Sequence, residues 1–528
     1  MTALMHELID FSALRFPDAI ALKEGVQNLN YQQLAVEVER GACYFLGLGL
    51  ARRDRVAVYM DKRIDTVVAM FAAAAAGGVF VPVNPLLKAE QVAHILRDCN
   101  VRILVTTSER LELLRPILAG CPDLQSVVVV ADAAAAPVEG IRCVNWSERR
   151  HAAHRVPYRT TDSDMAAILY TSGSTGKPKG VVLSHRNLVA GAQSVSQYLE
   201  NRPEDRILSV LPLSFDYGLN QLTTAFQVGA CAVLMNHLFP RDVVRMVARE
   251  KITGLAAVPA LWIQLAQLDW PEGVNEHLRY ITNSGGAMPT HTLAALQRKL
   301  PNTQPYLMYG LTEAFRSTYL PPEEVEHRPD SIGRAIPNAE ILVVREDGTP
   351  CAAGEEGELV HRGVHVALGY WNDMEKTAER FRPAPGLPAG LPLPEMAVWS
   401  GDTVKRDEEG FLYFIGRRDE MIKTSGYRVS PSEVEEVVYA TDLVVEAAAL
   451  GVFHPAMGQA VVLVIYAPEQ NEAVSEQLMG ECKLKLPAFM VPLRIVVREA
   501  ALPRNPNGKI DRKQLAGELA DLFEDITS

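Results

Sequence analysis

YTSGSTGKPKG, Tyr170 to Gly180, grows out of the apolar run AAILY (166–170) and leads into VVL (181–183). Glycines packed between Thr171, Ser172, Ser174 and Thr175, with Lys177 close behind, let backbone N–H groups, hydroxyls and an ammonium converge on phosphate oxygens. The pattern is not the P-loop of nucleoside triphosphatases, which needs Ser or Thr after its GK, because Lys177 is followed by Pro178. A flexible Ser/Gly linker is the bland alternative. A linker rarely carries two interior lysines between two buried apolar runs, so the stretch reads as a phosphate loop.

Outward from this loop, apolar runs of strand length alternate with helical patterns. They are VAVYM (56–60), VFVPV (79–83), ILVTT (103–107), SVVVV (126–130), AAILY (166–170) and ILSVL (207–211). Such alternation predicts an α/β protein with mostly parallel sheets covered by helices. The stretch from Thr66 to Leu87 is uncharged, but Gly77, Gly78, Pro82, Asn84 and Pro85 interrupt it. It reads as a buried Ala-rich helix running into a short strand rather than a membrane span. Residues 131–140 and the proline-rich 383–394 read as surface loops. Beyond Gly416 the pattern changes to a charged turn, a short hairpin and a helix opened by Ser430 and Pro431, the start of a small α+β domain.

A chain of 528 residues predicts two to four folding units. With 52 Lys+Arg against 64 Asp+Glu the formal charge is -12, which argues against nucleic acid as the main partner. The seven cysteines show no CxxC pair and no short Cys/His spacing suited to zinc, so a reducing cytoplasm fits. The N-terminus carries acids early and no basic segment ahead of an apolar one, so no secretory signal is expected. His185, after Ser184 at a helix start, reads as a first-turn residue.

TSGSTGKPKG resembles the nucleotide loop of the adenylate-forming (AMP-binding) superfamily, which includes acyl-CoA synthetases, luciferases and the adenylation domains of peptide synthetases. Further motifs follow in the family's order: NSGGAMP (283–289), MYGLTEA (308–314), GELVHRGVHVALGYWND (357–373), the run from Trp399 to Glu435 and PRNPNGKIDRKQL (503–515). The resemblance implies an ATP- and Mg²⁺-dependent AMP-forming ligase. It joins a carboxylic acid to the thiol of CoA or of phosphopantetheine on a carrier protein. The implied fold is a large N-terminal domain (1–417) of α/β subdomains plus a β-rich one, a hinge (418–420) pivoting at Asp419, and a small mobile α+β lid (421–528).

By the same resemblance, Thr171, Ser172, Gly173, Ser174, Thr175, Gly176 and Lys177 hold the β- and γ-phosphates. Gly285, Gly286 and Ala287 approach the adenine, on which Tyr309 stacks beside Gly310, and Asp402 takes the ribose hydroxyls with Arg417 and Arg428 nearby. Thr312 reaches the α-phosphate, Glu313 binds Mg²⁺, and Lys509 bridges the substrate carboxylate and the α-phosphate. Ser284, Phe215, Asp216, Tyr217 and Asn220 are the acid-pocket residues.

Two readings stay open within the family. MIKTSGYRVSPSEVE looks like acyl-CoA ligases, and the whole pattern most resembles free-standing AMP-forming acyl-CoA ligases associated with bacterial exosortase gene clusters. LSFDYGLNQ instead resembles amino-acid adenylation domains, where an Asp after Phe holds the substrate ammonium. Asp216 either does this or bonds to nearby backbone. In the amino-acid case the enzyme loads a separate carrier protein, since no attachment motif follows Lys509.

Overall fold

The computed structural model describes residues 2–528 except 132–136, 172–177, 287, 289, 387–389, 391, 418–421, 430, 442, 468–472, 504–509 and 524–528, and omits the side chains of residues 260, 291, 416, 417, 432, 436, 473 and 513. Among the described residues, helices pack against three sheets of 14, eight and five strands. The α/β class expected from the sequence is what forms, with parallel blocks in the two larger sheets and, among the described residues, slightly more antiparallel than parallel strand pairs overall.

The eight-stranded sheet holds Arg55–Tyr59, Val79–Pro82, Val101–Thr107, Ser126–Val130, Arg142–Asn145 and Met165–Thr171 in parallel register. These runs are apolar on both faces because helices cover both, which is why they read as continuous rather than alternating. The Ala-rich stretch forms the helix Ile64–Ala75, buried throughout its middle. Its small side chains permit close crossing with the helix Tyr31–Gly47: a Cβ on Gly41 would lie 2.7 Å from Ala72 Cβ. His185 is fully buried, and its Nδ1 accepts the Met5 N–H at 3.0 Å, tying the N-terminal segment to the start of the helix His185–Tyr198.

In the 14-stranded sheet, Ile20–Glu24, Cys231–Leu234, Arg206–Ser209, Gly254–Ala257, Tyr280–Asn283 and Gln304–Tyr309 run parallel. From Thr318–Leu320 onward the neighbours are antiparallel, through Ser331–Ala335, Leu412–Arg417, Met396–Arg406 and Glu356–Gly363 to Ala339–Val344. Strand ends shift from the sequence expectation where chemistry intervenes. ILSVL pairs only as far as Ser209, and Val210 and Leu211 leave the ladder ahead of Pro212 to line a cavity.

The strand Ser331–Ala335 carries an irregularity between Ser331 and Gly333, and Gly333 has φ +84°. A Cβ there would lie 1.9 Å from the Tyr319 carbonyl oxygen. Gly333→Ala is expected to destabilise the protein by roughly 2 kcal/mol or more, from the unfavourable φ and the clash together. A urea-unfolding midpoint unchanged from wild type would contradict this.

The five-stranded sheet, Tyr427–Val429, Ile422–Thr424, Gly458–Tyr466, Glu446–His454 and Arg494–Arg498, packs against the helices Pro431–Tyr439 and Ala473–Lys485. All seven cysteines are free. Among the described residues no helix is long and apolar enough to cross a membrane.

Candidate active site

The site forms where parallel strands end. Met165–Thr171 pairs antiparallel with Lys179–Ser184, and Thr171 lies opposite Lys179. Thr171 and Pro178 both line a cavity of about 590 Å³. Ser172, Gly173, Ser174, Thr175, Gly176 and Lys177 lie outside the described residues, but the chain enters and leaves that segment on the cavity wall.

Gln304–Tyr309 ends at the same wall and passes through Gly310 into the short 3-10 turn Thr312–Ala314. Glu313 is buried and accepts the Tyr370 hydroxyl at 2.6 Å. Burial alone would push its carboxyl up, but the charges of Arg428 and Arg380 and the Tyr370 hydroxyl bring it below its ordinary value. Tyr370 reaches Glu313 because residues 356–370 change sheets. Glu356–Gly363 belongs to the 14-stranded sheet, whereas Gly369–Tyr370 pairs with Lys179–Ser184 in the other. That crossing ties the turn bearing Glu313 to the strand leaving the phosphate-loop segment.

One residue before Gly310, the Tyr309 hydroxyl donates to Asp402 Oδ2, and Asp402 is 1% exposed. Asp402 lies opposite Arg417 in the ladder of Met396–Arg406 and Leu412–Arg417. Ser284 and Gly285, after the strand Tyr280–Asn283, line the cavity, and Asn283 Nδ2 donates to the Gly286 carbonyl at 3.0 Å. Ala287, Asp419 and Lys509 lie outside the described residues.

The small C-terminal unit contributes Ser425, Gly426, Tyr427 and Arg428 to the cavity wall. The Tyr427 ring stacks on Phe489 at 3.9 Å and meets the edge of Phe215 at 5.2 Å. Gln91 Nε2 donates to Glu433 Oε1 at 3.0 Å, a second contact between the units.

Phe215 precedes the helix Asp216–Val228, whose first residues bear on the cavity. Asp216 is paired with a side-chain cation. Its Oδ2 is 2.6 Å from Arg316 Nη1, and Thr312 Oγ1 lies 3.4 Å from its Oδ1. Tyr217 shares a 2.6 Å hydrogen bond with Thr282 and presents its ring to the Arg316 guanidinium at 4.4 Å. Asn220, one turn further, bonds along its own helix to Thr223 and Thr224 and is not among the described residues that line the cavity.

Arg316 is the residue that reading the sequence missed. A signal was present: the run from Ala314 to Pro322 contains this single charge, and a lone cation in an apolar segment needs a partner. Its placement follows from Phe315, which has φ +61° and a fully buried ring packed beneath Gly191. That packing holds a conformation costly for a side-chain-bearing residue and turns the next one, Arg316, toward Asp216.

A nucleotide-sized cavity at the ends of parallel strands, faced by a small second unit, is an architecture that this protein shares with adenylate-forming enzymes. The chain belongs to the AMP-binding enzyme family: the family model matches residues 9–371, and that of the AMP-binding enzyme C-terminal domain matches 433–509. It is 30% identical over 526 residues to L-proline--[L-prolyl-carrier protein] ligase of Pseudomonas fluorescens, covering 98% of this chain and 99% of the relative. It is 28% identical over 551 residues to the long-chain-fatty-acid--CoA ligase of Salmonella typhimurium, covering 97% and 94%. It also matches gramicidin synthases, of whose length it spans about a tenth. Among solved structures, o-succinylbenzoate CoA synthetase of Bacillus subtilis, bound to a product analogue, superposes with a TM-score of 0.81 at 25% identity, covering 96% of this chain and 97% of that one.

Proposed function

We propose that the protein is an acyl-CoA ligase of the AMP-forming kind, with the residues around this cavity in the roles that the family resemblance implies. The carrying observation is the convergence of Thr171, Thr312 and Arg428 on one cavity, with the buried Glu313 next to Thr312 and under the charge of Arg428, and with Tyr309 hydrogen-bonded to Asp402. Substrate carboxylate and triphosphate are both anions, so their approach and the charge developing at the α-phosphorus need fixed opposing charge. A carboxylate oxygen attacks the α-phosphorus, the bond to the β-phosphate bridging oxygen breaks, and pyrophosphate leaves. A thiol then adds to the acyl carbon, AMP departs with the C–O bond pair, and the thiol proton passes to solvent.

Thr312 donates to an α-phosphate oxygen and Lys509 sits between the two anions. Glu313, held ionised, is the carboxylate that fits Mg²⁺, which commonly takes one or two carboxylates with phosphate oxygens and water and would neutralise phosphate charge. Asp402 accepts the ribose hydroxyls, and its bond from Tyr309 fixes the ring that stacks on adenine.

A second reading, transfer to phosphopantetheine on a separate carrier protein, is favoured by the full-length similarity to the prolyl-carrier ligase. ATP–pyrophosphate exchange over a panel of fatty, aryl, dicarboxylic and amino acids, followed by assay of thioester formation with CoA and with a phosphopantetheinylated carrier, separates the two. Acid-dependent exchange with CoA thioester as product supports the first reading. Exchange with thioester only on carrier transfers the assignment to the second, and no exchange with any acid overturns both.

Asp402→Asn is expected to lower kcat/KM for ATP by about 10–100-fold, the cost of one charge-assisted hydrogen-bonding group at about 1.5–3 kcal/mol. An unchanged kcat/KM for ATP would remove Asp402 from the nucleotide site.

A further inference from the structure

We propose that Arg316, braced by Asp216, determines specificity for a short dicarboxylic acid. One carboxyl is activated beside Thr312, and the other is bound by the Arg316 guanidinium. This inference rests on the reading of the cavity as a carboxylate-activating site and names the acid.

Arg316 is 2% exposed and lines the cavity, yet only part of its donor set is used. Nη1 serves Asp216 Oδ2 and the Phe315 carbonyl, while Nε and Nη2 have no hydrogen-bond partner among the described residues. A buried donor left without an acceptor is destabilising, and a bound acceptor removes that cost. The two unused nitrogens are covered in the present arrangement, so the guanidinium must turn from the Tyr217 face to expose them. A planar fork with two unused donors matches a carboxylate, which accepts from both at once.

The charge balance narrows the class further. Asp216, the group that would otherwise attract an ammonium, already carries a guanidinium at 2.6 Å. A plain α-amino acid would bring a second cation to that pair and leave the Arg316 donors unanswered. A plain apolar acid would also leave them unanswered, whereas a second carboxylate answers them and gives the two anions a shared cation. Val210, Leu211, Val258 and Leu261 give the wall apolar surface, while its other charges are Asp61, Lys62, Arg428 and Glu433.

Length follows from geometry. Thr312 Oγ1 is 3.4 Å from Asp216 Oδ1, and Arg316 is bonded to the other oxygen of the same carboxyl. One carboxylate, that of Asp216, bridges Thr312 and Arg316 through its two oxygens, so the activation end and the recognition end lie close together and the acid that spans them is a short one.

The test is ATP–pyrophosphate exchange with malonate, succinate and glutarate against propionate, butyrate and valerate, with aspartate, alanine, proline and octanoate as further arms. The expected result is a kcat/KM for at least one diacid that exceeds its matched monoacid by tenfold or more. Arg316→Ala should abolish that ratio through KM. Because Arg316→Ala strands the Asp216 carboxylate, the double variant Arg316→Gln with Asp216→Asn keeps a neutral hydrogen-bonded pair, and it too should lose the ratio. Asp216→Asn alone should retain diacid preference. Aspartate used as well as succinate supports the carboxylate site. Equal or better use of monoacids, proline or octanoate overturns this inference while leaving carboxylate activation standing. No exchange with any acid overturns both.

Discussion

Lys509→Ala is expected to slow ATP–pyrophosphate exchange by about 10²–10³-fold, the usual effect of removing one positioned charge or donor at a developing anion. The residue lies in the polar sequence PRNPNGKIDRK, of which residues 504–509 lie outside the described residues. An ammonium is suited to this task because it is a compact point charge with three donors, able to touch a carboxylate oxygen and a phosphate oxygen at once. The effect should be confined to one half of the reaction. The C-terminal unit now contributes Ser425 to Arg428, Glu433, Phe489 and Met490 to the cavity wall, and the family resemblance implies that the unit rotates between adenylation and thiol transfer. Thioester formation from a supplied acyl-adenylate should therefore fall less than tenfold in the same variant. Exchange that survives intact would exclude Lys509 from activation, and equal loss in both halves would mean that the substitution acts on folding or nucleotide binding instead.

The features legible in the sequence are those fixed locally. SVVVV and ILVTT are strands because a parallel strand covered on both faces must be apolar at every position, and the Ala-rich helix ends where Gly77 and Gly78 forbid its continuation. The phosphate-loop reading rests on glycines, hydroxyls and a lysine that are contiguous in sequence, and residues 172–177 lie outside the described residues. What was not legible depends on pairings across long separations. Asp216 and Arg316 are separated by 100 positions, and periodicity carries no information about which buried cation meets which carboxylate. The Tyr370–Glu313 bond likewise depends on one segment leaving its sheet at Gly363 to join another at Gly369, a change of partner that no local pattern announces. Asn220 shows the converse error. It lies one turn from Asp216 and so belongs by spacing to the same helix face, but Thr223 and Thr224 offer it nearer partners and the side chain turns to them.

Acidification from pH 7 to pH 5 is expected to remove roughly 6 kcal/mol of stability from the large N-terminal part, well before most carboxylates titrate. Three fully buried histidines carry the effect. Burial pushes His185 down to about 3, with nearby His6 adding to the shift against the opposing charges of Asp164 and Asp162. Burial likewise pushes His361 down to about 3 and His365 down to about 4, and the two rings meet edge to face at 5.9 Å. Each is therefore neutral in the folded protein at pH 5, whereas in the unfolded chain it takes up a proton near its ordinary value of 6.5. The unfolded state then binds more protons than the folded one, so stability rises with pH through this window and falls as pH drops below about 6.5. At about 1.4 kcal/mol per pH unit per group, 1.5 units cost about 2 kcal/mol for each histidine. Against a total of about 5–15 kcal/mol for a typical domain, the sum decides whether the fold persists. Urea-unfolding midpoints at pH 7, 6 and 5 measure it directly. His365→Gln, which keeps a partner for the Ser194 hydroxyl that now meets His365 Nε2 at 3.0 Å, should reduce proton uptake on unfolding at pH 5 by about one. A midpoint that does not fall between pH 7 and pH 5 would mean that these imidazoles reach solvent in the folded protein, and with it that the packing of residues 361–365 beneath the helix His185–Tyr198 is looser than the buried Ser194–His365 and Ser317–His361 contacts describe.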